Sequence, residues 1–210
     1  MNKDLLTELL STVRALQTAG LNRGTAGNVS VREGGGFWVT PTGMDYAQID
    51  AQDMVFIDGD GTATGRRQPS SEWRFHHDIY AARREANAVI HTHAPFATSL
   101  ACRGEAVPAF HYMVARFGGY EVRCARYATF GTQELSDAVV EALEGHCACL
   151  MAHHGMVVFG PDLKHALALA VELEALCEQY WRVLALGQPQ VLPEDEMMRV
   201  IEKFADYGRQ

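Results

Sequence analysis

Two imidazoles two residues apart inside an apolar run, Ala88-Val-Ile-His-Thr-His93, constrain this chain more than any other feature. The run is short and rich in β-branched residues, so it reads as a buried strand. On an extended strand His91 and His93 project from one face, about 7 Å apart at the strand rise. That spacing lets two ligands chelate one ion. A third imidazole is offered by Ala152-His153-His154-Gly155, where a second buried strand ends in a turn tight enough to need glycine. One of that pair completes a set of three histidines, and imidazole nitrogen is a natural ligand for zinc in a site left open to substrate. Nine histidines can also produce H-x-H by chance. The H-H-G after the second strand is what favours the metal.

The rest of the chain supplies elements around those strands. Leu5, Leu6, Leu9, Leu10, Val13 and Leu16 recur at helical spacing up to Gly20. Val29 to Val31, Phe37 to Thr40 and Met54 to Ile57 read as antiparallel strands, the last closing on the Asp58-Gly-Asp-Gly61 turn. Pro69-Ser-Ser-Glu72 starts a helix with Trp73, Phe75, His76, Ile79 and Tyr80 on its face. Pro95 opens another, to about Cys102. Val122 to Cys124 is expected as a strand, Leu135 to Leu143 as a helix, and Cys147 to His153 and Met156 to Phe159 as strands. Helices over Leu163 to Leu186 and Glu194 to Tyr207 follow. Strands gathered in the middle, with helices before and after, predict an α/β three-layer sandwich over residues 1–210, a mostly antiparallel sheet covered on both faces.

Two loops have the chemistry of an anion site. A helix N-terminus carrying Ser70 and Ser71, and the loop Gly24-Thr-Ala-Gly-Asn28 with its backbone N–H groups, both suit a phosphate. A plain helix cap explains Pro69 to Glu72 equally well, with Glu72 as the acid the helix dipole favours in its first turn. Neither stretch matches a nucleotide-binding signature. His76, His77, His111, His146 and His165 read as packed or surface histidines. Phe204 and Tyr207, at i and i+3, read as a core face or as a wall for a neighbouring site.

Composition removes other classes. A net charge of −8 and a pI near 5.5 oppose the basic footprint that nucleic-acid binding needs. Nothing at the N-terminus reads as a secretory signal, and no apolar run approaches the roughly 18 to 20 residues that span a bilayer. The five cysteines are scattered, without C-x-x-C pairing, and four of them lie in apolar contexts, so they read as reduced and mostly buried. A cytoplasmic protein without membrane or nucleic-acid partners is expected.

Taken in order, Gly24-Thr-Ala-Gly-Asn-Val-Ser-Val31, Thr40-Pro-Thr-Gly43, Pro69-Ser-Ser-Glu-Trp-Arg-Phe-His76, Asn87-Ala-Val-Ile-His-Thr-His93, Tyr127-Ala-Thr-Phe-Gly-Thr132 and His153-His-Gly155 resemble the class II, zinc-dependent aldolases of the fuculose-phosphate type. His111-Tyr-Met113, Glu202-Lys-Phe204 and Tyr207-Gly208 extend the similarity over nearly the whole chain. The resemblance implies one zinc ion on His91, His93 and His154, with Glu72 as acid/base and as a ligand of the empty metal. It assigns the substrate phosphate to Gly27, Asn28, Thr42, Gly43, Ser70 and Ser71, proton handling to Tyr112 and to a neighbouring subunit's Tyr207, and the aldehyde end to Phe130 and Phe204. It implies a C4 homotetramer with sites between subunits, and cleavage of a ketose 1-phosphate to dihydroxyacetone phosphate and an aldehyde. The expected substrate is L-fuculose 1-phosphate or, since Arg116, Phe117 and Arg126 depart from the fuculose type, a related 5-deoxy or methylthio-pentulose 1-phosphate. Pentulose-5-phosphate 4-epimerases and methylthioribulose-1-phosphate dehydratases resemble the same fold, the epimerases with Asp in place of Glu72. A non-enzymatic zinc-binding scaffold is the remaining reading.

Overall fold

The computed structural model describes residues 3–206. Helix α1 (Lys3–Thr18) buries Leu6, Leu9, Val13 and Leu16 along one stripe, as its spacing predicts. The chain then enters an antiparallel meander of β1 (Asn28–Glu33), β2 (Gly36–Val39), β3 (Val55–Asp58) and the two-residue β4 (Ala63–Thr64). Helix α2 (Trp73–Ala82) leads to β5 (Ala88–Thr92), which pairs antiparallel with β1. After α3 (Pro95–Ala101) come the short strands β6 (Val107–Pro108), β7 (Glu121–Val122) and β8 (Cys124–Ala125). Helix α4 (Gln133–Ala142), the hairpin of β9 (Ala148–Met151) and β10 (Gly155–Gly160), α5 (Leu163–Leu186) and α6 (Glu194–Asp206) complete the order.

The eight-stranded sheet runs β4-β3-β2-β1-β5-β10-β9-β8, antiparallel except where β8 lies parallel to β9. Strand alternation divides its apolar residues between two cores. Ala88 and Ile90 of β5 and Met156 and Val158 of β10 face a layer that includes α1, α3 and α5, while Val89, Val157 and Phe159 face α2 and α4. The three-layer, mostly antiparallel sandwich read from the sequence is the architecture observed. His91 shares the face of Val89, the α2 side, and every candidate ligand is found there.

Three local expectations are corrected. The strand expected over Val122 to Cys124 breaks at Arg123. Val122 pairs with Val107 in a separate two-stranded sheet, whereas Cys124 joins the edge of the main sheet beside Leu150. The helix expected from Pro69-Ser-Ser-Glu72 begins at Trp73, which leaves Glu72 at the cap position with no side-chain capping bond. Its carboxylate points elsewhere. Among the cysteines, all free, Cys149 and Cys177 are buried, Cys124 and Cys147 are half-buried, and Cys102 is exposed at the end of α3. Helix α3 is capped from outside: the Glu174 carboxylate, on α5, accepts from the N–H groups of Phe96 and Ala97 at 2.9 and 2.8 Å. This fastens the turn just after His93 to α5, within the layer that α3 shares.

Candidate metal centre

Two neighbouring strands and one helix start build the site. Asn28 of β1 lies opposite His91 of β5, and Val157 of β10 lies on the other side of His91. His93 follows the end of β5, and His154 stands in the three-residue turn between β9 and β10. Gly155 is required here: a β-carbon on it would lie 2.4 Å from the Thr92 carbonyl oxygen, 3.1 Å from the His93 ring and 3.3 Å from the His91 ring. The glycine of H-H-G therefore lets the hairpin close against the strand that bears the other two imidazoles.

Glu72, His91, His93 and His154 each offer one donor atom, and the four atoms lie within 4.8 Å of one another. The rings pack edge to face, with centroids 4.8 to 4.9 Å apart. The Nε2 atoms of His91 and His93 are 3.1 Å apart. Glu72 Oε2 is 3.3 Å from His91 Nε2, and Oε1 is 3.1 Å from His154 Nε2, though Oε1 is buried without a bond of hydrogen-bonding geometry. Lone pairs of three imidazoles and a carboxylate thus converge on one point, which suits a divalent cation. His91 Nδ1 lies 2.9 Å from the Met156 carbonyl, which it meets as a donor, so that Nε2 is left as the inward lone pair. Burial pushes His93 down to about 4, helped by the charges of His91 and His154, which keeps it in the neutral, ligating form. For Glu72, burial pulls the pKa upward, but the contacts with His91 and His154 outweigh it and hold the carboxyl well below the usual range.

A chain of bonds behind Glu72 was not legible as such in the sequence. Tyr80 Oη is 2.8 Å from Ser30 Oγ, and Ser30 Oγ is 2.6 Å from His76 Nδ1. His76 Nε2 is 2.5 Å from Asn28 Oδ1, and the Asn28 amide donates to Glu72 Oε2 at 3.0 Å. His76 is fully buried, which pushes it down to about 3, so it is neutral. The Asn28 carbonyl needs a donor, so the proton sits on Nε2, and the amide is thereby turned with its NH2 toward Glu72. Read as a packed histidine, His76 is packed, but it also orients two site residues. The available signal was the match between Asn28 and Ser30, two apart on a strand, and Glu72 and His76, four apart across a helix start.

The cluster opens into a cleft of ≈ 300 Å³. Gly27, Asn28, Thr42, Gly43, Ser70 and Ser71 all line it, together with Glu72, His93, His154 and Phe130. Its loops are tied together: the Ser70 N–H donates to the Thr40 carbonyl and the Thr42 N–H to the Gln68 carbonyl, and the Glu72 N–H donates to Ser70 Oγ. Gly27 has φ +77°, and a β-carbon there would meet Asn22 and the His91 carbonyl within 2.7 Å. Tyr112 and Phe204 are not brought to this cleft within one chain. Their rings stack 6.3 Å apart at the edge of a second cavity, under α6, that Arg116 also lines. Tyr207 lies outside the described residues. Phe117 is buried, Arg116 pairs with Glu172 at 3.4 Å, and Arg126 lies 3.9 Å from Glu141; none of the three lines the cleft. Tyr127 and His153 do line it, and the sequence reading gave neither a role there.

The sandwich and its cluster of three imidazoles and a carboxylate define a candidate centre for a divalent ion at the floor of a polar cleft. Residues 7–181 match the family model of the class II aldolase and adducin N-terminal domain, and the chain belongs to the class II aldolase family, whose enzymes are lyases. It is 57% identical over 200 residues to a 5-methylthioribulose-1-phosphate/5-deoxyribulose-1-phosphate aldolase of Rhodospirillum rubrum, covering 95% of this chain and 90% of that one. It is 45% identical over 205 residues to the L-fuculose phosphate aldolase of Escherichia coli K12, covering 97% and 95%. A solved L-fuculose 1-phosphate aldolase superposes with a TM-score of 0.94 at 38% identity over 98% of each chain.

Proposed function

We propose that this chain is a single-domain, zinc-dependent aldolase that cleaves a pentulose 1-phosphate or a close ketose 1-phosphate to dihydroxyacetone phosphate and an aldehyde. The observation that carries the reading is Glu72, buried, facing three imidazoles, at the floor of a cleft whose other wall is made of N–H-rich and hydroxyl-bearing loops. The relatives named above act on 1-phosphates with a methylthio, deoxy or fuculose end, which supports the substrate class.

His91, His93 and His154 would hold the ion, which when bound would supply a Lewis acid for the substrate carbonyl. Gly27, Asn28, Thr42, Gly43, Ser70 and Ser71 bind the phosphate and fix the ketone half, and that orientation lowers the barrier. Glu72 delivers a proton to the carbon left when the C–C bond breaks, and takes it back in the reverse direction. The Asn28 amide holds the carboxylate for this transfer. Tyr112 and Tyr207 handle the hydroxyl proton at the aldehyde end from an adjacent copy in a C4 tetramer, a reading consistent with Tyr112 standing apart from its own cleft. The protein acts in the cytoplasm; no helix among the described residues is long and apolar enough to cross a membrane.

The test is a coupled reductase assay for dihydroxyacetone phosphate on a panel of ketose 1- and 5-phosphates, with metal analysis alongside. One divalent ion per chain, triose phosphate from at least one 1-phosphate, and loss of turnover on chelation are expected. Epimerisation of a pentulose 5-phosphate with no triose phosphate from any 1-phosphate would overturn the proposal.

A further inference from the structure

Asn22 is only 4% exposed, and neither its Oδ1 nor its Nδ2 has a hydrogen-bond partner among the described residues. Leaving a buried amide unpaired is costly, so this one calls for a partner. It fills the space beside Gly27, where a β-carbon would lie 2.6 Å from Oδ1, 2.7 Å from Nδ2 and 2.7 Å from the His91 carbonyl oxygen. The Asn22 side chain, the loop of residues 23–27 and the strand that bears His91 therefore meet at one point.

Thr25, Ala26 and Gly27 of that loop line the cleft, and no lysine or arginine does. A phosphate there depends on N–H and hydroxyl dipoles, and dipoles hold an anion only when their directions are fixed. The loop is fastened at its last residue, where the Tyr46 hydroxyl donates to the Gly27 carbonyl. Within residues 23–27 the one backbone bond runs from the Ala26 N–H to the Arg23 carbonyl, stretched to 3.5 Å. The Thr25 and Gly27 N–H groups donate to nothing among the described residues. A trans peptide points its N–H and its carbonyl in opposite directions. When a loop N–H turns into the cleft toward a phosphate, the carbonyl of the same peptide turns inward, to the side where the Asn22 amide stands.

We infer that Asn22 is a positioning residue for the substrate phosphate: its buried NH2 group takes the carbonyl of the loop peptide whose N–H binds the phosphate, and so fixes the loop against β5. Because β5 carries His91, the phosphate end of the substrate is thereby registered to the metal end. The inference rests on the phosphate assignment in the aldolase reading above.

The test compares metal-loaded wild type with Asn22→Leu, which keeps the volume, and with Asn22→Ala. Titration calorimetry uses two metal-chelating hydroxamates of otherwise like structure, one with a phosphate arm and one without. In both variants the dissociation constant of the phosphate-bearing compound is expected to rise about 5- to 10-fold, the scale of one hydrogen bond, while that of the other compound and the metal content stay at wild-type values. Ligand-free Asn22→Leu is expected to melt at or above the wild-type temperature, because the substitution removes an unpaired buried amide. A merely structural amide, bonded through buried water, would behave in the opposite way: the melting temperature would fall and the ratio of the two constants would not move. That outcome, or equal weakening of both compounds, would overturn the role of Asn22 and leave the aldolase standing. A wild type that binds the phosphate-bearing compound no better than the other would instead overturn the phosphate assignment, and the positioning role with it.

Discussion

Glu72 has two oxygens with different neighbours, and its behaviour follows from both. Oε2 is held by the Asn28 amide, while Oε1 lies against His154 without a hydrogen bond. A Glu72→Gln protein keeps the size and a hydrogen-bonding head but cannot carry a proton. It is expected to retain the ion and a dihydroxyacetone phosphate analogue while turnover falls by about 10²-fold or more; near-normal turnover would return Glu72 to a helix-start residue. His76 makes a prediction about pH. Its pKa is about 3 when folded, against an ordinary value near 6.5, so above that value neither state binds its proton. Below it the unfolded chain takes up a proton that the folded one refuses, and stability declines by about 1.4 kcal/mol for each pH unit toward pH 3. A His76→Gln protein does not titrate there. Denaturant unfolding between pH 4.5 and 7.5 should show a slope about one proton shallower than wild type, and equal slopes would mean that His76 is not the titrating group.

At the level of elements, the β9–β10 hairpin is positioned by what it lacks, a side chain at Gly155. Gly155→Ala would drive a methyl group to within 2.4 Å of the Thr92 carbonyl. Unfolding free energy is expected to drop by about 1–3 kcal/mol, the usual cost of overpacking, with metal affinity falling alongside; a fully metallated variant with wild-type stability would contradict this. The same hairpin shows why much of the site could be read from the chain alone. His91 and His93 share a face by strand alternation, and the need for glycine after His154 marks a tight turn, so spacing carries the information. Strand order is different. That β10 lies between β5 and β9, and so brings His154 beside His91, depends on contacts remote in sequence that no local pattern encodes. The bond chain through His76 was hidden for the same reason, since a buried histidine and a hydrogen-bonding one have the same local sequence. The two-residue β6 escaped, and β7 and β8 were read as one strand, because alternation needs more length than they have.

Over the whole molecule, the separation of Tyr112 and Phe204 from the cleft bears on assembly. Tyr112 is 49% exposed and Trp181 and Leu186 on α5 are 50% and 91% exposed, apolar surface that a second copy would cover. A solution mass of four chains is expected. Cutting the chain after Lys203, or making Tyr207→Phe, should depress turnover while leaving metal content largely intact; a fully active tetramer in both proteins would show that the tail only packs. The order in which the donors occur along the chain has a separate consequence for synthesis. Glu72, His91 and His93 all precede β9, but His154 becomes available only when β10, the last strand, docks against β5. A growing or prematurely ended copy therefore holds an incomplete donor set, and ion capture belongs to the final strand pairing. The full set of four donors therefore exists only once the central sheet has closed around β10.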